Sequence, residues 1–435
     1  MNNEESTFYI FQFLRGFFMK ILLIGSGGRE HALAWKLAKN NRVEKIYVSP
    51  GNGGTAMESK CENISIDSND IEKLLEFALD KFVDLTIVGP EEPLTKGIVD
   101  KFKAKGLKIF GPSEKAAKLE GSKSFSKDFM KKYGVKTAEY QVFYDYNKAL
   151  DYLEKCSYPI VIKADGLAAG KGVFICENKE EGINAVKSSM IDDIFKGAGE
   201  KVVIEEFLEG VEASILSITD GKTIIPFISA KDHKQIIDGG KGPNTGGMGV
   251  LAPNPYVTDE VFKDFKENIM NKTLTGIKEE GFDFKGIIFF GIMITKKGTY
   301  LLEYNVRMGD PETQSVLTLM ESDFLELIEE SLREELCNVE IKWKPYTCVN
   351  VVLASKGYPN SFKKGYEIII DNEVREKLFM AGTKFEDGIL KTNGGRVLSV
   401  VGIGKTVDEA REDAYKSIDK VNFKNRYYRN DIGLI

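Results

Sequence analysis

The chain is short of the residues from which many catalytic sites are built. Only 2 of its 435 residues are histidine, His31 and His233, which all but excludes a His-rich metal centre or a Ser-His-Asp triad. Its 5 cysteines (Cys61, Cys156, Cys176, Cys337 and Cys348) show neither C-x-x-C spacing nor a pairing pattern. That usage fits a reduced cytoplasmic protein with incidental thiols. Positive charge is not in excess: 60 basic residues face 66 acidic ones, for a net charge of −6. No basic stripe stands out either, so a nucleic-acid partner is not expected. A run of the ~20 apolar residues that span a bilayer is also missing. The aromatic stretch Phe8–Leu14 is much shorter, follows Glu4 and Glu5 rather than a basic region, and is closed by Arg15. Residues 1–18 read as an extension outside the fold, with a short membrane-surface anchor as the alternative. The expectation is a monomer with no membrane partner. What remains for chemistry is Lys, Arg, Asp, Glu, Asn and backbone N–H groups.

What is present is ample for folding. Hydrophobic residues make up 42% and charged residues 29%, the balance of a globular protein with about two to four domains. From Lys20 short apolar strands alternate with amphipathic helices: Ile21–Ile24, Lys45–Val48, Leu85–Val88 and Lys108–Phe110 are the strands, and Arg29–Lys39, Ile71–Lys81 and Lys96–Lys105 the helices. That rhythm predicts a doubly wound parallel sheet, whose ligands bind beyond the carboxyl ends of the strands. The rhythm changes after about Leu119. Strands at Pro159–Lys163 and Gly172–Cys176 flank a Gly-rich turn, a helix is expected over Lys179–Ser188, and a strand over Val202–Glu206. A long helix, Asp259–Glu280, precedes a hairpin of Gly286–Ile294 and Thr299–Arg307. From about Pro345 short strands lead to a helix opened by the capping box Thr406-Val407-Asp408-Glu409.

Three motifs carry chemistry. Gly25-Ser26-Gly27-Gly28-Arg29-Glu30 follows a strand and opens a helix, but Glu30 replaces the third glycine of a dinucleotide fingerprint. The next strand ends at Ser49-Pro50-Gly51 without an acidic residue for a ribose, so a nicotinamide site is disfavoured. A small substrate's phosphate on Gly27 and Gly28 at the helix N-terminus, or a tight turn with no ligand, both stay open. Gly166–Gly172 is not a Walker loop. Three residues rather than four precede Gly170-Lys171, Gly172 stands where Ser or Thr should bind magnesium, and the turn joins two strands. It can fold over phosphates as an anion nest or be a plain hairpin. Period two places Glu303, Asn305 and Arg307 on one strand face. Carboxylate plus amide oxygen suits magnesium, and the guanidinium a phosphoryl group; an exposed edge with an ion pair is the plainer reading.

Val161–Gly166 with Gly170-Lys171-Gly172 resembles the lid hairpin of ATP-grasp enzymes, and Ile204–Glu212 their adenine hinge. Gly27–Ala32, Pro50–Ala56, Gly121-Ser122-Lys123, Gly242–Gly249, Gly309–Gln314 and Thr392–Val397 are similar to motifs of the phosphoribosylamine–glycine ligases within that superfamily. The resemblance spans about residues 19–433. It implies an N-terminal α/β domain over 19–119, an ATP-grasp domain over 120–340 with a lid at about 140–205, and an α+β domain over 341–435. It also implies ATP, glycine and 5-phosphoribosylamine as substrates, and magnesium or manganese as the metal. By the same resemblance, Lys123, Lys163, Gly170, Lys171 and Gly172 meet the ATP phosphates. Glu205, Glu206 and Leu208 hold adenine, and Glu212 the ribose. Glu303 and Asn305 hold the metal, and Arg307 acts on the transferring phosphoryl. Asp232, Lys234, Asn244, Thr245, Gly246, Asp310, Pro311 and Glu312 face the other substrates. The strand before Glu303 reads Phe290-Gly291-Ile292-Met293, so it adds no acidic metal ligand. The rival expectations are a different ATP-grasp ligase, an NAD-linked oxidoreductase and a nucleotide-binding regulator without turnover.

Overall fold

The computed structural model describes residues 18–168 and 172–434. Gly170, Lys171 and the extension up to residue 17 lie outside the described residues. Among the described residues no helix is long and apolar enough to cross a membrane.

Four apolar strands and the short edge strand Cys61–Asn63 run parallel: Met19–Gly25, Val43–Pro50, Leu85–Val88 and Ile109–Pro112 are the apolar ones. Leu85–Val88 pairs with Met19–Gly25 on one side and Ile109–Pro112 on the other, while Val43–Pro50 and Cys61–Asn63 extend the opposite flank. Strand order therefore reverses between Met19–Gly25 and Leu85–Val88, which puts the Gly25–Gly28 and Gly89-Pro90 loops at a topological switch point. The helix expected over Lys96–Lys105 is Ile98–Ala104, and Gly97, with a left-handed φ of 76°, separates it from a further short helix, Glu91–Thr95.

The sheet does not stop at this unit. Phe284–Thr295 pairs antiparallel with Ile109–Pro112 and carries the ladder on through Val211–Thr219, Ile224–Asp232 and Gly249–Ala252. It then reaches the C-terminal strands Thr347–Ser355, Arg396–Gly404 and Leu378–Met380, in one sheet of 14 strands. The expected long helix is present but contains a π-turn, Lys266–Met270, between Asp259–Phe265 and Asn271–Glu279. The C-terminal helix is Val407–Ile418, and the Thr406 hydroxyl accepts from the Glu409 N–H as the capping box requires.

A second, four-stranded antiparallel sheet stands apart. Its order is Tyr140–Phe143, Val202–Glu206, Ile160–Ala164, Val173–Cys176. With the helices Tyr146–Leu153 and Lys179–Met190 it encloses a separate small core around Leu153, Ile162, Val186 and Ile204.

Two glycine-rich motifs turn out to clasp the first unit to the C-terminal one. Asn52 donates to the carbonyls of Ser26, Gly27 and Met380 at 2.9–3.0 Å. His31 Nδ1 accepts the Met380 N–H at 2.7 Å, so its Nε2 carries the proton toward Glu58, 3.3 Å away. A Cβ on Gly54 would lie 2.3 Å from His31 Nδ1 and 2.6 Å from Met380 Cβ. Gly54→Ala is therefore expected to lose about 1–3 kcal/mol by overpacking, measured as a lower denaturant midpoint. An unchanged midpoint would show that the seam is loose.

Candidate active site

A cleft of about 510 Å³ lies between the small sheet and the large one. The small sheet supplies Val161, Lys163, Gly172 and Glu205, the hairpin supplies Glu303 and Asn305, and the first unit supplies Glu91, Glu120 and Lys123. Groups up to about two hundred residues apart in sequence thus face one space.

One end is built around a buried ion triad. Lys163 leaves the strand Ile160–Ala164 with its ammonium 3.0 Å from Glu205 Oε1. Lys127, from the buried face of the helix Lys123–Lys132, donates to Glu205 Oε2 at 3.0 Å and to Thr137 Oγ1 at 2.7 Å. Burial by itself would raise the Glu205 carboxyl, but the two lysines outweigh it and hold the group ionised below its ordinary range. Burial drops the Lys127 ammonium to about 8. Glu205 Oε1 has its ion pair but no hydrogen-bond donor, so an acceptor lobe stays open. Glu206, Leu208 and Glu212 line the adjoining wall. Lys123 begins its helix beside the hairpin of Ile160–Ala164 and Val173–Cys176. Its N–H donates to the Asp165 carbonyl, and the Asp165 carboxylate accepts the Ser124 N–H.

The middle holds the acid–amide–arginine group. The strand Gly298–Asn305 carries Glu303 and Asn305, but Arg307 lies beyond its end, so strand periodicity does not place it. Tertiary contacts do. Arg307 donates to Asn305 Oδ1 at 3.1 Å, to Glu91 at 3.2 Å and to the Met308 carbonyl at 3.3 Å, with Glu120 2.7 Å from the same terminal nitrogen that meets Asn305. Glu91 and Glu120 respond oppositely to shared surroundings. Burial pushes both up, but Arg307 and Arg29 bring Glu91 down to about 2, while burial wins at Glu120 and leaves it at about 7.

The Glu303 carboxylate takes no hydrogen bond or ion pair from the described residues. Burial opposes its charge, yet Lys234, Lys163, Lys123 and Arg307 hold it below the ordinary carboxylate range. An ionised, unengaged carboxylate beside an amide oxygen fits a hard cation. Among the described residues no three His, Cys, Asp or Glu groups cluster as a metal cage. A cation here therefore needs waters or phosphate oxygens to complete its shell.

The far end is closed by the loops. Asp232, Lys234, Asn244, Thr245, Gly246, Asp310 and Glu312 all line it. Asp232 Oδ1 is buried without a donor. Burial and the mutual repulsion of Asp232 and Glu312 raise Asp232 well above its ordinary value, and burial also raises Glu312. Lys234 pairs with Glu212. Asp310 is fully engaged, accepting from the Arg29 N–H and the Gln314 amide at 3.2 Å. Position 247 takes glycine on two counts: its φ is 109°, and a Cβ there would sit 2.6 Å from Asp232 Oδ1.

Gly27, Gly28 and Pro311 do not line the cleft. The Gly27 N–H is already bonded to Glu30 at 2.5 Å, and a Cβ on Gly28 would meet the Gln314 side chain. The Pro311 carbonyl accepts from Asn350. Glu30 thus fills the space a third fingerprint glycine would leave open. Sequence reasoning missed Lys127, Glu91, Glu120, Arg29 and Arg396 as lining residues. Lys127 had a signal, a lysine four residues after Lys123 on the helix face that is buried. Arg396 lies in a motif already singled out. It donates to the Asp310 carbonyl at 2.7 Å and to the Gly246 carbonyl, tying those two loops to the C-terminal unit.

Three family models match the chain consecutively. The phosphoribosylglycinamide synthetase N domain matches residues 19–120, its ATP-grasp (A) domain residues 121–313 and its C domain residues 348–435. A phosphoribosylamine–glycine ligase of Clostridium acetobutylicum is 62% identical over 415 residues, which are 95% of this chain and 99% of the relative. The crystal structure of the phosphoribosylamine–glycine ligase of Thermotoga maritima superposes with a TM-score of 0.84 at 37% identity, over 95% of this chain and all of that one. The biotin carboxylase domain of the Hydrogenobacter thermophilus 2-oxoglutarate carboxylase, solved with MgADP and bicarbonate, shares the fold. Its TM-score is 0.72 at 15% identity, over 95% of this chain and 92% of that one.

Proposed function

The chain belongs to the phosphoribosylglycinamide synthetase family, and from that premise we infer that it joins glycine to 5-phosphoribosylamine at the expense of ATP, a step of purine biosynthesis. The products are glycinamide ribonucleotide, ADP and phosphate. The observation that carries this reading is the meeting of Lys163, Glu205, Glu303, Asn305 and Arg307 around one cleft.

The glycine carboxylate attacks the γ-phosphorus, the bond to the β–γ bridging oxygen breaks, and ADP leaves. The amine of phosphoribosylamine then attacks the carbonyl of the glycyl phosphate. The new C–N bond forms, the nitrogen loses a proton, and phosphate departs with the C–O electron pair. Phosphoryl transfer of this kind asks for positioning and charge neutralisation rather than an acid–base histidine. Lys123, Lys163 and the turn at Gly172 take the phosphates. Glu205 Oε1, an open acceptor, takes the adenine amino group with the backbone of Glu206 and Leu208, and Glu212 takes the ribose hydroxyls. Arg307 faces the γ-phosphoryl. Glu303 and Asn305 hold magnesium or manganese, which when bound neutralises phosphate charge. Asp232 and Glu312 suit the ammonium of glycine, and Lys234, Asn244, Thr245, Gly246 and Arg396 the remaining polar groups. The small sheet over the cleft keeps water from the acyl phosphate.

The test is an ADP-release assay with each substrate left out in turn. Release that needs ATP and glycine, and becomes sustained turnover only with phosphoribosylamine, is the expected result. Equal turnover without glycine would overturn the reading.

A further inference from the structure

We propose that Glu120 is a positioning residue for phosphoryl transfer: it holds Arg307 and the main chain just after Asn305 in one fixed relation. The inference rests on the role given to Arg307 above. Glu120 lies in the last turn of the helix Glu114–Gly121 and is 8% exposed. Its Oε2 accepts the Val306 N–H at 2.7 Å, and its Oε1 lies 2.7 Å from an Arg307 terminal nitrogen. One carboxylate thus grips the backbone that follows Asn305 and the guanidinium one residue later. Arg307 in turn donates to Asn305 Oδ1, so the anchor reaches the amide proposed to hold the metal.

Glu91 also touches Arg307, yet its side chain is 28% exposed and its bond to this group is to the guanidinium. Glu120 is the deeper anchor and the one of the two that grips the main chain after Asn305. Burying a carboxylate is costly unless it is paired and hydrogen-bonded, and here both oxygens are engaged by protein. The helix that carries it runs through Gly121 and Ser122 into Lys123. The same short segment therefore sets a phosphate-side lysine and the bearing of the arginine. A guanidinium clamped on several sides cannot swing to follow the γ-phosphoryl; it has to be aimed beforehand, and an error of about 1 Å in such a site can cost 10²-fold in rate.

Glu120→Gln tests this with little change of volume. Val306 and Arg307 meet different oxygens of Glu120, so Gln in the same place keeps an acceptor toward one of them and turns an NH2 donor toward the other. We expect kcat to fall about 10- to 100-fold, with KM for ATP and for glycine within about twofold. Arg307→Lys should lose a similar factor, and the double variant should lose little beyond the larger single loss, because both changes remove one arrangement. A merely structural role for Glu120 would leave the two losses additive. Wild-type kcat in Glu120→Gln alongside a damaged Arg307→Lys overturns the positioning role alone. Wild-type kcat in both overturns the reading of Arg307 with it. Should the Gln variant not fold, Glu120→Asp keeps the charge but withdraws it by one methylene, and an unchanged kcat there would equally overturn the proposal.

Discussion

Glu303→Gln is expected to fold like the parent and to turn over about 10²–10³-fold more slowly, the loss typical when one charge-stabilising group leaves such a site. Folding survives because no partner is orphaned: the Glu303 carboxylate takes no hydrogen bond from the described residues. The rate suffers because the carboxylate is ionised, held so by four cations against its burial. An amide keeps the shape and loses the charge on which a divalent cation depends. The measurement is turnover against metal concentration, for which the half-saturating concentration should rise as the plateau falls. Near-normal turnover with an unshifted metal curve would remove Glu303 from the site.

The second large effect is at the ion-triad end of the cleft, and it is one of stability as well as binding. Glu205→Ala leaves Lys127 and Lys163, with side chains 3% and 7% exposed, facing each other without their shared counter-ion. Breaking a buried ion pair from one side costs about 3–5 kcal/mol. Lys163→Ala should cost less, since Glu205 keeps Lys127. Both variants should lose heat protection by ATP, which for the parent amounts to about 2.7 kcal/mol at a hundredfold excess over Kd.

The pH dependence of the Glu205→Ala variant has a definite sign. The folded-state Lys127 already titrates at about 8, below its ordinary 10.5, so the unfolded chain binds more protons between those values and stability rises with pH there. Without Glu205 the Lys127 ammonium loses a neighbour that raises it, so the rise begins at lower pH and is larger. Calorimetry at neutral and alkaline pH reads this directly. Equal protection by ATP in Lys163→Ala and parent would take Lys163 out of the nucleotide site.

The fold was legible where secondary structure is dictated locally. Leu85–Val88 and Val202–Glu206 fall where the apolar runs end, and the C-terminal helix begins at its capping residue. Gly97 is a local signal too: its left-handed turn starts Ile98–Ala104 two residues later than apolar periodicity had put it, and the short helix Glu91–Thr95 before it carried no periodic signal. The site was legible where it lies in short motifs, such as Lys163 on its strand and Glu303 with Asn305 on theirs. It was not legible for Glu120, whose main-chain partner is 186 residues away, or for Lys127, whose carboxylate is 78 away. Nor could the sequence show that the Gly54 motif serves a seam between units, because a glycine needed for close packing and one needed for a ligand look alike.

Sequence alone determined the strand–helix rhythm, the exclusion of histidine chemistry, and the presence of each reactive group on an element of known type. These follow from periodicity and residue chemistry, which act over a few neighbours. Only the tertiary structure decided which carboxylates are ionised, which amides are already taken, and that Arg307 is aimed by Glu120 and Glu91 rather than by its strand. Those depend on burial and on charges brought together through space, and no window of sequence contains both partners.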